Sequence, residues 1–167
     1  MKTLGPKGMK TLKTCHVLFA MIWVVGVIAM AVINLIKPQS GDELYMTLYI
    51  SRFIDDILVI PGAILTVITA IIYGLHTNWG FFKHNWITVK WIVSIVIILI
   101  GTFYFSPKLD ASLEIADLTR NAALSDPTLL SNQHISLIGA FIQAGALVVL
   151  VVISVFKPWK KKKVNFI

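Results

Sequence analysis

His16 stands three residues after Lys13 in "KTLKTCHVLFAMIWVVG", where a lysine-rich tail becomes an apolar run. Neutral imidazole is the commonest protein ligand for metal centres. His16 is therefore the leading candidate ligand for a metal or haem iron, with an amphipathic residue at a boundary as the alternative reading. His76 and His84 flank the same side and His76 is its possible partner, whereas His134 falls at the opposite end. Lys90, three residues after Ile87, either snorkels to lipid headgroups or supplies a counter-charge to an anionic ligand such as a propionate. Arg52 is spaced to pair with Asp55 at i+3 or Asp56 at i+4. The trio is either a structural ion pair or a polar cluster for substrate or proton handling. Gln143 falls about 12 Å into the last apolar run and needs a hydrogen-bonding partner there.

These groups require elements to hold them, and the composition says which kind. Of 167 residues, 57% are hydrophobic and 14% charged, with a mean hydropathy of +0.81. Soluble domains hold about 45–50% apolar and about 25% charged residues, so the sequence predicts an integral membrane protein. Four runs are long enough to cross about 30 Å of hydrocarbon: residues 16–36, 57–75, 87–105 and 135–156. The first has a lysine-rich lead and an Ala29-Met30-Ala31 site that resembles a signal peptide. The apolar run continues past Ala31, and it is read as a retained anchor. The fold expected is all-α: a single membrane domain over residues 1–167, built as a four-helix bundle.

Charge placement orients it. Lys2, Lys7, Lys10 and Lys13, Lys83, Lys157 and Lys160 to Lys163 lie on one side; all eight carboxylates lie between the first and second or the third and fourth runs. The positive-inside rule puts both termini in the cytoplasm. The net charge of +7 is then a topology signal and an attraction to anionic headgroups, and nucleic acid is not expected as a partner. A single cysteine excludes an internal disulfide and any Cys-pair metal site. Trp79, Phe81, Phe82 and Trp86 suit the headgroup region.

Within "LDASLEIADLTRNAAL" Leu109, Leu113 and Ala116 share one side, which predicts a short amphipathic helix in the outer loop between helices 3 and 4, lying on the outer face or capping the bundle. Pro61 lacks an N–H and should kink helix 2, leaving the Ile57 carbonyl short of a partner. Ser136, Ala140 and Ala144 recur every four residues near Gln143, a predicted helix-packing face. The sequence contains no P-loop, Gly-rich dinucleotide turn, G-x-S-x-G or H-E-x-x-H motif, which argues against nucleotide-driven and hydrolytic chemistry.

Taken together, "LKTCHVLFAMIWVVG", "RFIDDILVIPGAILTVITAIIYGL", "WITVKWIVSIVIILIGTFYFSP" and the closing "VFKPW" resemble a family of small bacterial integral membrane proteins of unknown function. That set is distantly similar to the membrane domains of CopD-type copper-resistance proteins and to haem-binding membrane protoporphyrinogen oxidases. The resemblance implies a bacterial inner-membrane, multi-pass location. From the oxidases it implies His16 as ligand to haem b, with Arg52 and Lys90 at the corresponding positions, and any enzyme activity would be a haem-dependent oxidoreduction. The sequence departs from the oxidase pattern in having no second histidine inside a span, and from copper handling in its scattered methionines. The function expected is haem or porphyrin binding near the cytoplasmic side. The alternative is a non-catalytic membrane subunit or small transporter component acting through helix contacts, with membrane lipid, a second copy or a partner subunit against it.

Overall fold

The computed structural model describes residues 4–77 and 80–159. Lys2, Trp79 and the lysines at 160–163 lie outside the described residues. All regular structure among the described residues is helical: α1 (Pro6–Ile33), α2 (Gly41–Ile54), a π-helical turn (Asp55–Val59), α3 (Ile60–His76), α4 (Asn85–Ile100), a second π turn (Gly101–Phe105), α5 (Ser106–Thr119), a 3-10 segment (Arg120–Ser125) and α6 (Pro127–Phe156). The π turns join their neighbours without a break, so four long helices result, and all four are long and apolar enough to cross a membrane.

Local chemistry sets the ends. Pro6 occupies the first turn of α1, where a missing N–H costs nothing. Helix α1 stops at Asn34, whose Nδ2 donates to the Met30 carbonyl (2.9 Å). Ser40 caps α2 by accepting from the Glu43 N–H (3.2 Å), and the Glu43 carboxylate accepts from the Gln39 N–H (2.6 Å), a variant of the capping box. Asp126 caps α6 by accepting from the Leu129 N–H (2.9 Å), with Pro127 at the first helical position. At the far end Lys157 takes the left-handed conformation (φ 46°), and Pro158 blocks continuation.

The two π turns share one cause. Pro61 follows the turn Asp55–Val59, and Pro107 follows Gly101–Phe105, each separated from its turn by one residue. A proline ring clashes with the carbonyl four residues back and offers it no N–H. Widening the preceding turn relieves both: the Ile60 N–H bonds the Asp55 carbonyl and the Ser106 N–H bonds the Gly101 carbonyl, each five residues back. The kink expected from Pro61 is thus a π turn, and Pro107 repeats the device in the next helix.

Two packed regions follow. In the membrane-spanning half, α1 is central, packing on α3 on one side and α6 on the other, while α4 packs chiefly on α6. Trp23, Val27, Ala63, Ile97, Leu147 and Leu150 form its core. The α1–α3 seam is close because Gly62 has no side chain: a Cβ there would stand 2.7 Å from the Trp23 backbone nitrogen. Elsewhere the spans present Val, Ile and Phe outward, a surface suited to hydrocarbon and untenable in water.

The second region lies beyond. Leu44 and Leu48 of α2 pack on Ala116, Ala123 and Leu129, with Leu109 and Leu113 against them. Leu44 and Leu129 are fully buried, each contributing about 1.5–3 kcal/mol in an aqueous setting. Of the two placements expected for the amphipathic helix, on the outer face or capping the bundle, this packing corresponds to the second. The helix's apolar side exists, but α5 continues from α4 through the π turn, and that side is covered by α2 instead of a lipid surface. The Gly41 N–H donates to Asn121 Oδ1 (2.7 Å), with the Gly41 Cα set against the Arg120 backbone. Arg120 lies over the Tyr45 ring at 4.0 Å and pairs with Asp117 (2.7 Å).

Leu4 N–H bonds the His76 carbonyl (3.2 Å), and Lys157 lies 5.8 Å from the Trp86 ring. Both ends of the described chain therefore sit at one end of the bundle with the α3–α4 connection, here the terminal end. The α2–α5 cap marks the distal end.

Candidate functional site

The residues predicted to form one ligand site fall at opposite ends. At the terminal end, His16 Nδ1 lies 2.8 Å from Thr69 Oγ1, and the imidazole meets Tyr73 edge-on at 5.6 Å. The Thr69 hydroxyl hydrogen is directed at its own helix, to the carbonyls of Leu65 (2.8 Å) and Thr66 (3.0 Å). Thr69 therefore links the His16 ring to the α3 backbone, and which of the two donates depends on the imidazole tautomer. Lys90 lies near enough to act on the ring electrostatically. His76 ends α3 seven residues past Thr69, about 10 Å along the axis, and the terminal segment engages its carbonyl. Arg52 is 17 positions before Thr69 in the same long helix, about 25 Å away along the axis. The described residues hold no group of three or more His, Cys, Asp or Glu able to grip a metal ion.

Arg52 organises the distal end. Its guanidinium reaches Asp55 (3.3 Å), Asp56 (3.4 Å) and Asp110 (3.2 Å), and Nη1 donates to Ser106 Oγ (2.9 Å). One cation thus ties α2 and the first π turn to α5, and the group carries two net negative charges if all three carboxylates are ionised.

Directly inside that cluster is a cavity of about 90 Å³, room for several waters. Both π turns line it: Asp55 and Val59 from one, Gly101 and Phe105 from the other. Asn34 capping α1, Ser51 of α2, Ser106 and Ser112 of α5, and Gln133, Ser136 and Gln143 of α6 supply polar groups. Several are already engaged: Ser51 bonds the Thr47 carbonyl (2.9 Å) and Ser106 takes the Arg52 donor. Ser112, Gln133 and Gln143 make no side-chain hydrogen bond among the described residues. Ser112 is only 2% exposed. Among those residues no sealed side-chain oxygen lacks a partner, so its hydroxyl opens onto the cavity it lines. Gln143 points its Oε1 at the second π turn, 3.8 Å from where a Cβ on Gly101 would stand.

The packing face expected on α6 is divided between two jobs. Ser136, Ala140 and Gln143 line the cavity, while Ala144 packs on the core around Trp23. Sequence reasoning missed Asn34, Ser106, Ser112, Asp110 and Gln133. The available signal was Pro107, which stands in "YFSPKL" as Pro61 stands in "LVIPGA". π turns recur at functional sites, and paired prolines point to two of them facing one space.

Fold and site together define a multi-pass α-helical membrane protein with a polar cavity between its spans and a helical cap. Comparison with family models, with curated proteins and with solved structures finds no match.

Proposed function

We propose that the protein binds a small polar ligand in the distal cavity, as a ligand-binding or transport component of a bacterial inner membrane, with its termini in the cytoplasm. The observation that carries this is Ser112, which is almost wholly enclosed, makes no side-chain hydrogen bond among the described residues and lines a space shared by both π turns. Polar groups placed between membrane spans are costly unless they serve a ligand or an ion path. The carboxylates around Arg52 favour a cationic or neutral ligand over an anion.

The test uses thiol access. Cys15→Ala removes the lone cysteine, and Ser112→Cys then places a thiol in the cavity. In intact cells a membrane-impermeant cationic methanethiosulfonate is expected to label it about tenfold or more faster than an anionic one, because the carboxylates gathered beside the cavity concentrate cations. Equal rates overturn the electrostatic reading. Labelling only in inverted vesicles overturns the orientation, and no labelling from either side overturns the cavity site.

A second reading places haem b or a related porphyrin at His16, and one observation favours it. Thr69 Oγ1 holds the imidazole through Nδ1 (2.8 Å), the arrangement in which a second group orients a ligating histidine. Protein purified from haem-replete cells should then show a Soret band that His16→Ala abolishes; a band unaffected by His16→Ala, or none, removes this reading.

A further inference from the structure

A second hollow adjoins the distal cavity. It has a volume of about 370 Å³ and lies between α4 and α6, lined by Ile92, Val96, Ile97, Ile100, Ile142 and Ala146. Phe105 and Gln143 line both spaces and mark their junction. The Phe105 ring lies directly on Gly139, so close that any side chain at that position would displace it. Four of the lining residues (Ile92, Val96, Ile100 and Ile142) are exposed, and the groove therefore opens sideways to whatever surrounds the spans. Helix α4 leaves room for it, since its packing is chiefly with α6 and Ile97 is its single buried residue.

A lateral groove in the hydrocarbon zone is filled by hydrocarbon chains, and this one adjoins a polar cavity across Phe105 and Gln143. An apolar groove beside a hydrogen-bonding chamber matches a molecule with a tail and a head. The chamber supplies one carboxylate, Asp55, together with the oxygen acceptors of Ser112, Gln133 and Gln143, and Asp56 and Asp110 gather with Asp55 around Arg52. Arg52 is the cation facing these carboxylates and is already shared among all three. An ammonium donates up to three hydrogen bonds and accepts none, which this set of acceptors satisfies. A phosphate or carboxylate head would meet repulsion.

Resting on the distal-cavity reading, we infer that the ligand is an amphiphile with an amine head and a hydrocarbon chain. It enters sideways between α4 and α6, lodging its head beside Asp55 and Ser112 and its chain in the groove, with Phe105 at the bend.

Photo-crosslinking of the full chain in phosphatidylcholine nanodiscs tests this, with dodecylamine carrying a diazirine at the chain end as the probe. Adducts are expected on α4 and α6 between Ile92 and Ile100 and between Ile142 and Ala146. Unlabelled dodecylamine in excess should suppress them. Val96→Trp, which fills the groove from an exposed position, should lower labelling about tenfold, equivalent to about 1.4 kcal/mol of lost affinity. Ile22→Trp, on the exposed surface of α1, should leave labelling unchanged. Ala146→Trp provides a second blocked groove should Val96→Trp fail to fold. Adducts spread evenly over α1 and α3 overturn the inference, as does competition by dodecyl phosphate equal to that by dodecylamine. If butylamine competes as well as dodecylamine, the polar head site stands and the tail groove is refuted. If no amine competes while Ser112→Cys is still labelled, the cavity stands and the amine ligand is refuted.

Discussion

Gly62→Leu is expected to lower the thermal unfolding midpoint in detergent by about 5–10 °C. A Cβ at position 62 would stand 2.7 Å from the Trp23 nitrogen and 2.9 Å from its Cα. Backbone atoms inside a continuous helix cannot step aside, so the α1–α3 seam must open. Lipid offers no hydrophobic force to reclose it, because tails are as apolar as the helix surface and association rests on close packing. Overpacking costs about 1–3 kcal/mol and sometimes more, and for a chain of this size each kcal/mol moves the midpoint by about 2–4 °C. Gly145→Leu is the control: nothing lies within 4 Å of a Cβ at that position. A Gly62→Leu protein that melts with the Gly145→Leu protein would mean that the seam does not hold the bundle together.

The second large effect belongs to Arg52. Arg52→Met is expected to destabilise the protein by about 2–3 kcal/mol, the cost of leaving a largely buried charged acceptor without its donor. The effect is concentrated on Asp55, whose side chain is 13% exposed; Asp56 and Asp110 are about half exposed, and solvent screens their share. Adding Asp55→Asn to Arg52→Met should recover about 1–2 kcal/mol, the coupling characteristic of contacting groups. Arg52→Lys should fall between wild type and Arg52→Met, because one ammonium cannot spread donors across three carboxylates and the Ser106 hydroxyl at once. Denaturant unfolding of the four proteins of the cycle measures this, and a coupling indistinguishable from zero would show that Arg52 acts on the whole cluster's charge instead of on Asp55.

Much of this architecture can be read from the chain as letters. Four apolar runs, a capping serine before Asp42 and Glu43, and Pro127 after Asp126 each act within a few residues, and local effects are legible locally. Arg52 with Asp55 and Asp56 is legible for the same reason, since i+3 and i+4 neighbours share a helix face. Asp110 and Ser106 are not, because they reach Arg52 only after α5 has folded against α2. The apolar side of "LDASLEIADL" could be seen, but its covering could not. Periodicity shows that a helix has a face to bury and is silent on whether lipid or another helix buries it. Gln143 needed a polar neighbour on any reading, and which space it faced depended on where the second π turn placed Gly101.

By itself, then, the sequence determined the class: four spans, the helical interruption at Pro61 and the segregation of lysines from carboxylates. These follow from hydropathy, caps and proline geometry, which need no partner from elsewhere in the chain. Tertiary structure decided the site. It parted Arg52 from His16, paired His16 with Thr69, and brought Asp55, Ser112 and Gln143 from three long helices around one cavity. Such a meeting depends on helix rotation and crossing, set by contacts such as Gly62 on Trp23 between residues 39 positions apart.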